Sequence, residues 1–315
     1  MICMEIIQDI QEQKVDKKNV VLTIGSFDGV HLGHLQIIKE VISTAKKHNG
    51  TSVVMVLRPH PRTYFSPDIP LNMLTNEEKQ QELFEKAGVD VTAVLPFNKH
   101  TANLLPNEFI NQIVHNFPNL HTLIVGHDFR FGKGASGDYQ LLKQYAKRYS
   151  FDVKQIPPLI INGERVSSSL IRELVLEGEM GKVPQFLGRK YSLSGKVIEG
   201  RGIGKLLGFP TANILPFHNA IPPHGVYSAE CILADGRVLP SAVNIGIAPT
   251  IRQEDFAIEA HIINFNEDIL NQKIEIVFHQ HIRPEKKFAC REELIQMISK
   301  DIEQITQYFN KHLEI

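Results

Sequence analysis

Residues 20–34 read VVLTIGSFDGVHLGH, and this stretch decides the fold of the first half of the chain. The run Val20–Ile24 is rich in β-branched residues and predicts a short buried strand that ends at Gly25. Apolar residues then recur at helical spacing over Leu35–Lys47. A strand, a glycine-containing turn and a helix in this order predict the first part of a βαβ unit.

The same alternation continues to about residue 156. Further strands are predicted at Ser52–Leu57, Val89–Leu95, Thr122–Val125 and Phe151–Ile156, and further helices at Asn76–Ala87, Pro106–His115 and Asp138–Tyr149. This order predicts an α/β domain whose parallel sheet is covered on both faces. Such sheets bind ligands beyond the carboxyl ends of their strands, where Gly25, Pro59 and Gly126 are expected.

The second half of the chain has a different pattern. Short strands are predicted in succession at Tyr191–Ile198, Gly225–Leu233, Arg237–Ile245, Ala257–Phe265 and Lys273–Ile282. One long amphipathic helix, Arg291–His312, follows and is predicted to pack against them. The pattern predicts a mainly β domain, a small antiparallel β-barrel with a terminal helix. We expect domains at residues 1–185 and 186–315.

Composition limits the classes of partner. The 315 residues carry 34 basic and 35 acidic side chains, a net charge of -1, so no global basic field attracts nucleic acid or an anionic membrane. The 3 cysteines form no CxxC pair, which favours a reducing cytoplasm over a disulfide framework. The sequence shows neither a signal peptide nor an apolar run of membrane-spanning length. We therefore expect a cytoplasmic protein with small-molecule partners, and the oligomeric state stays open.

The segment GSFDGVHLGH, residues 25–34, has the features of a phosphate site. The helix after it presents free N–H groups and a positive dipole end to the turn. His31 and His34 lie three residues apart, so both rings are expected on one helix face, where they could donate hydrogen bonds to phosphate. Zinc binding is the alternative for such a pair. Neither GxxxxGK[ST] nor GxGxxG fits this segment.

This segment resembles the signature of the HxGH nucleotidylyltransferases in the form found in prokaryotic FAD synthetases. Three more segments resemble motifs of that group: LRPHPR at 57–62, VGHDFRFGKGASG at 125–137 and VSSSLIR at 166–172. The resemblance implies a Rossmann-like domain that transfers the adenylyl group of ATP to FMN and releases pyrophosphate. Two departures are Arg58, where the family has an acidic residue, and Ser169, where threonine is common.

The resemblance also implies roles for individual residues. His31 and His34 would contact the ATP phosphates and the transition state, and Ser168 and Arg172 the β- and γ-phosphates. Gly25, Phe27 and Asp28 belong to the binding loop, and Arg62 and Asp128 would lie on the flavin side. The alternative for Asp128 is a solvated pair with Arg130 at a strand end.

A second segment, GKVIEGRGIGKLLGFPTAN at residues 195–213, combines glycines with two side-chain oxygens. Thr211 and Asn213, two residues apart and stiffened by Pro210, offer neutral oxygen ligands to a hard cation. Glycine N–H groups could cover phosphates. The alternative is a flexible hairpin without a ligand.

This segment resembles the riboflavin kinase signature, with Lys205 in place of the usual arginine. GVY at 225–227, NIG at 244–246 with Pro249-Thr250, IEAHI at 258–262 and IRPEKKF at 282–288 resemble later motifs of that family. The resemblance implies Mg²⁺ on Thr211 and Asn213, and phosphates near Gly202, Gly204 and Lys205. It makes Glu259 the catalytic base and places Arg283 and Glu285 on the flavin, unless those two form an exposed charge pair.

The order of the two motif sets is similar to that of the prokaryotic bifunctional riboflavin kinase/FAD synthetase family. This implies phosphorylation of riboflavin to FMN and adenylylation of FMN to FAD, each from ATP with Mg²⁺. Two alternatives stay open: an FMN adenylyltransferase with a weakened kinase half, and a non-catalytic flavin or nucleotide sensor on the same scaffold.

Overall fold

The computed structural model describes residues 4–69, 71–217, 220–247 and 256–313. The described residues fall into two compact units. One holds those of Met1–Leu71 and Glu77–Ser168, and the other those of Asn72–Asn76 and Ser169–Ile315.

The first unit contains a six-stranded sheet in the order β1-β4-β3-β2-β5-β6. Every neighbouring pair in this sheet is parallel. The strands are β1 (Glu5–Ile7), β2 (Val20–Gly25), β3 (Ser52–Arg58), β4 (Val91–Pro96), β5 (Leu120–Gly126) and β6 (Asp152–Ile156). The predicted parallel sheet is confirmed. Strand β1 was not predicted, because three residues are too few to show a period.

Helices cover both faces of this sheet. Val53 and Met55 of β3 share a buried cluster with α5 and α6, whereas Val54 and Val56 pack with α1 and α3. Alternate residues of a strand point to opposite faces, so the apolar run of β3 is buried on both sides. The helices are α1 (Leu32–Lys47), α2 (Pro61–Phe65), α3 (Glu77–Ala87), α4 (Lys99–Asn103), α5 (Pro106–Asn116) and α6 (Tyr139–Tyr149). A 3₁₀ turn (Lys133–Ala135) and a ribbon of β7 (Ile160–Ile161) and β8 (Glu164–Arg165) complete the unit.

The second unit contains a closed six-stranded barrel in the order β10-β13-β12-β11-β14-β9. Its neighbouring strands pair antiparallel. The strands are β9 (Ser192–Ile198), β10 (Ala212–Pro216), β11 (Gly225–Ile232), β12 (Val238–Ile247), β13 (Phe256–Ile262) and β14 (Lys273–Arg283). The predicted barrel is confirmed, and Gly236 turns between β11 and β12 with φ of 88°.

Strand β10 was missed, because we interpreted its residues only as the end of a glycine-rich segment. The segment connects two paired strands, β9 and β10, and contains a short helix, α9 (Ile203–Leu207). The other helices of this unit are α7 (Ser168–Leu176), α8 (Val183–Leu187) and α10 (Arg291–Leu313). Helix α10 buries Ile305 and Phe309, as its apolar spacing predicts. Within the described ranges, none of the helices has the length and apolar character needed to cross a bilayer.

Candidate active sites

In the first unit, a cavity of about 590 Å³ lies where β2, β3 and β5 end. A cavity at this edge is what a parallel sheet leads one to expect, and its volume falls in the range of small-molecule sites. Among the predicted site residues, Gly25, Phe27, His34 and Asp128 line it. Much of the remaining wall is aromatic: Phe65, Phe97, Phe109, Phe129 and Phe131.

The two histidines stack face to face at the start of α1. Their ring centroids are 3.5 Å apart, with an interplanar angle of 15°. The predicted helix began at Leu35, but α1 begins at Leu32, because His31 caps it: Nδ1 of His31 accepts the backbone N–H of His34 at 3.2 Å. A neutral His31 therefore carries its proton on Nε2. In the described part of the chain, no three His, Cys, Asp or Glu side chains gather as a metal site would require.

A hydrogen bond joins two of the motifs that resemble nucleotidylyltransferases. The Ser168 hydroxyl donates to the backbone carbonyl of Asp28 at 2.8 Å, although the two residues are 140 positions apart. Asp28 is buried in the same loop. The fold therefore brings Ser168 to the histidine loop. Arg172, four residues further on, groups with the second unit, where its Nε donates to the carbonyl of Asn72 at 2.7 Å.

Two residues predicted for the flavin side differ in position. Asp128 lines the cavity with a side chain that is 64% exposed, 3.7 Å from Arg165. Arg130 lies 3.8 Å from Asp138, so the alternative of a pair between Asp128 and Arg130 is not the arrangement seen. Arg62 is exposed on α2 and is not among the described residues that line the cavity.

The barrel holds two adjoining cavities, of about 600 and 380 Å³, and Thr211 lines both. The larger cavity, here called the glycine-side cavity, contains the predicted residues Gly202, Lys205, Thr211 and Asn213. The smaller one, here called the helix-side cavity, is walled partly by α10 and contains Gly204, Thr211, Glu259, Arg283 and Glu285. All the predicted kinase residues therefore line one cavity or the other.

Two glycines leave space for the predicted cation ligands. A Cβ at Gly200 would lie 1.9 Å from Nδ2 of Asn213, and a Cβ at Gly204 would lie 3.0 Å from Oγ1 of Thr211. A Cβ at Gly200 would therefore displace the Asn213 amide, whereas a Cβ at Gly204 would first meet the backbone carbonyl of Phe209, at 2.4 Å. Gly202 and Gly208 flank α9 with φ of 70° and 91°, a conformation that favours glycine. The glycines therefore belong to a hairpin connection that contains a short helix.

Glu259 lies opposite Asn213 of β10 and opposite Asn244 of β12 in the barrel register. Directly opposed residues on neighbouring strands have adjacent side chains. Burial raises the pKa of the Glu259 carboxyl, and the positive charge of Arg201 offsets part of that rise. A carboxylate with a raised pKa is a stronger proton acceptor, which suits a general base.

Arg283 and Glu285 line the helix-side cavity but have other partners, so the exposed pair of the alternative interpretation is wrong. The guanidinium of Arg283 binds Asp301 of α10, with Nη2 2.7 Å from the carboxylate. Glu285 lies 3.7 Å from His224. The buried Asp301 was missed, because a single acid in an amphipathic helix looks like a solvent-facing residue.

Sequence reasoning also missed His261, which lines the helix-side cavity two residues after Glu259. Its Nδ1 lies 2.8 Å from the carbonyl of Pro210 and, as the only possible donor of that pair, donates to it. His261 could have been found from the alternation along β13, because residues two apart in a strand, such as Glu259 and His261, point to the same face. The motif residues Pro249 and Thr250 lie outside the described residues.

Comparison with known proteins follows the same division of the chain. Residues 13–170 match the family model of FAD synthetase, and residues 187–309 match that of riboflavin kinase. A bifunctional riboflavin kinase/FMN adenylyltransferase of Haemophilus influenzae is 33% identical over 98% of this chain and 100% of its own. That of Escherichia coli K12 is 31% identical over 95% of this chain and 96% of its own.

This chain belongs to the bifunctional riboflavin kinase/FMN adenylyltransferase family. Membership confirms the resemblance found in the sequence and makes the chain a transferase of the FAD-forming family. A crystal structure of a Streptococcus pneumoniae protein described as a macrolide-efflux protein covers 96% of this chain and 98% of its own with a TM-score of 0.86. At 24% identity that likeness shows the fold alone.

Proposed function

We propose that the barrel of this family member phosphorylates riboflavin to FMN and that the first unit adenylylates FMN to FAD. The observation that carries this assignment is the separation of the two motif sets. Four residues of one set line a cavity at the end of the parallel sheet, namely Gly25, Phe27, His34 and Asp128, and the other set lines two adjoining cavities of the barrel. Each cavity system therefore has its own residues for one transfer.

In the kinase step, the 5′-hydroxyl of riboflavin attacks the γ-phosphorus of ATP and ADP leaves. Glu259 accepts the proton of that hydroxyl, which its raised pKa favours. The flavin occupies the helix-side cavity with Arg283 and Glu285, and the triphosphate occupies the glycine-side cavity with Gly202 and Lys205. Gly204, in the wall of the helix-side cavity, is assigned to the phosphates as well. Since Thr211 lines both cavities, the reacting hydroxyl and the γ-phosphorus meet beside it.

The residues around Thr211 and Asn213 fit a magnesium ion. Both offer a side-chain oxygen, the ligand atom that Mg²⁺ prefers, and Gly200 leaves the space that the Asn213 side chain fills. We propose that Thr211 and Asn213 hold the ion. When bound, Mg²⁺ neutralises charge on the triphosphate.

In the adenylyl transfer, a phosphate oxygen of FMN attacks the α-phosphorus of ATP and pyrophosphate leaves. No protein nucleophile is needed. His31 and His34 donate hydrogen bonds to the phosphate oxygens where charge develops, and the N-terminus of α1 adds its dipole. We assign Gly25, Phe27 and Asp28 to the binding loop, Ser168 and Arg172 to the β- and γ-phosphates, and Arg62 and Asp128 to the flavin side.

We place the limits of the catalytic domains at residues 1–185 and 186–315. We further propose that the protein works in the cytoplasm on ATP, riboflavin and FMN, with Mg²⁺, and without nucleic acid or membrane partners. The near-zero net charge of -1 supports the last point.

A product assay tests the proposal. Full-length protein is incubated with riboflavin, ATP and Mg²⁺, and riboflavin, FMN and FAD are resolved by chromatography. We expect FMN first and then FAD. FMN without FAD would leave only the kinase, FAD solely from supplied FMN would leave only the adenylyltransferase, and flavin binding without turnover would indicate a sensor.

A further inference from the structure

Arg58 stands where the family has an acidic residue, and its guanidinium is bound to side chains of α3. The side chain is only 13% exposed, and Nη1 donates to Oε2 of Glu77 at 3.1 Å. Nη2 donates to Oε1 of Gln80 at 3.2 Å. Because a guanidinium has only donors, this contact fixes which end of the Gln80 amide is the oxygen.

The other end of that amide holds the histidine loop. Nε2 of Gln80 donates to the carbonyl of Ser26 at 2.8 Å and to the carbonyl of Phe27 at 3.1 Å. Gln80 is only 6% exposed, so water does not readily replace these two hydrogen bonds. A chain of contacts therefore runs from the end of β3 through α3 to the loop between β2 and α1.

The loop needs such support because Phe27 adopts φ of 51°, a left-handed conformation that non-glycine residues rarely hold. A peptide unit is planar and trans, so holding the carbonyls of Ser26 and Phe27 toward α3 turns the next N–H groups to the opposite side. The ring of Phe27 is also held, edge to face, by Phe84 at 5.8 Å and by His34 at 5.1 Å.

We propose that Gln80, oriented by Arg58, is a positioning residue for adenylyl transfer that fixes the peptide planes of residues 26–28 beside the two histidines. This inference rests on the proposed function of the histidine loop. Nothing in the sequence motifs pointed to Gln80, which lies 46 positions after His34 in a helix with no recognised signature.

The test uses full-length Gln80→Leu and Gln80→Glu. Leucine keeps the bulk, whereas glutamate keeps the shape and the acceptor for Arg58 but has no N–H to donate. Gln81→Leu is the matched control, because Gln81 is the next residue of α3 and is half-buried. FAD formation from FMN, FMN formation from riboflavin and thermal unfolding are measured for each.

We expect both Gln80 variants to lower kcat/KM for ATP in FAD formation by at least about 10-fold, since two buried carbonyls lose their donor. The KM for FMN and the rate of FMN formation should match those of Gln81→Leu, and a cooperative melting transition above the assay temperature should show that both Gln80 variants are folded. Normal FAD formation in both Gln80 variants would overturn the proposal, as would an equal loss in Gln81→Leu.

Hydrogen exchange separates this inference from the proposed function. Without ligands, the amides of residues 26–30 should exchange faster in both Gln80 variants than in wild type and Gln81→Leu. Unchanged exchange would refute the proposed positioning of the loop by Gln80, even in an active enzyme. If exchange is faster in the Gln80 variants but the wild type makes no FAD, the positioning of the loop by Gln80 is supported and the adenylyltransferase assignment is refuted.

Discussion

At the residue scale, the chemistry of Glu259 follows from its position on the barrel wall. The side chain lies between Asn213 and Asn244 on neighbouring strands and lines the helix-side cavity. Loss of solvent disfavours the charged carboxylate, and its pKa rises above the ordinary value of 4.5. The proposed general base must be deprotonated to act, so we expect this shift to set the acid side of the kinase pH profile.

We predict that kcat for FMN formation falls as the pH is lowered through a value above 4.5, because the protonated form of Glu259 cannot accept the proton of the hydroxyl. Glu259→Gln should lose roughly 100-fold to 10,000-fold of this activity and the acid limb with it. Initial rates from pH 5 to 8 provide the measurement. An acid limb that persists in Glu259→Gln would assign it to another group.

His31 caps α1, and we propose it as a phosphate donor, so the two roles can be tested separately. We predict that His31→Ala lowers FAD formation from FMN by about 100-fold to 1,000-fold and lowers stability by about 1 kcal/mol through the lost cap. His31→Asn is the matched variant, because asparagine caps helices well but has no imidazole. It should restore stability and not FAD formation. Recovery of FAD formation in His31→Asn would limit His31 to capping.

At the element scale, the connection between β9 and β10 is shaped around two side chains. A Cβ at Gly200 would displace the Asn213 amide, and a Cβ at Gly204 would meet the carbonyl of Phe209 at 2.4 Å and Oγ1 of Thr211 at 3.0 Å. Pairing of β10 with both β9 and β13 fixes the backbone of Asn213. Strand pairing therefore fixes the backbone of Asn213, one of the proposed cation ligands, and the close approach of Gly200 limits where its side chain can lie.

We predict that Gly200→Ala lowers the kinase rate by roughly 10-fold to 100-fold, because a misplaced ligand costs rate even when the fold persists. The Mg²⁺ concentration needed for half-maximal FMN formation should rise as well. Gly181→Ala is the control, since a Cβ there meets nothing within 4 Å. Equal Mg²⁺ requirements in the two variants would contradict the placement of the ion on Asn213.

At the scale of the whole molecule, the two proposed sites are separate sets of residues in one polypeptide. Those of the sheet cavity lie between positions 24 and 135, and those of the two barrel cavities between 197 and 302. FMN, the product of one, is the acceptor substrate of the other. The sites can therefore be inactivated one at a time.

We predict that His31→Asn and Glu259→Gln, each unable to convert riboflavin to FAD efficiently, restore FAD formation when mixed in one tube. FMN released by the first variant would be adenylylated by the second. FAD is measured against each variant alone and against wild type at the same total concentration. A mixture that makes FMN and no FAD would show that FMN is not exchanged between molecules.

The two fold classes, the family and most of the candidate residues could be predicted from the sequence alone. Strand and helix periods reflect which neighbours along the chain are apolar, and the motifs are contiguous, so both can be found without a structure. The contacts between residues that are distant in the sequence are seen only in the tertiary structure. In the folded chain Ser168 donates to Asp28, Glu259 lies opposite Asn213, and Arg58 donates to Gln80. Such contacts depend on how helices and strands pack together. The residues that neighbour each partner in the sequence therefore do not indicate the contact.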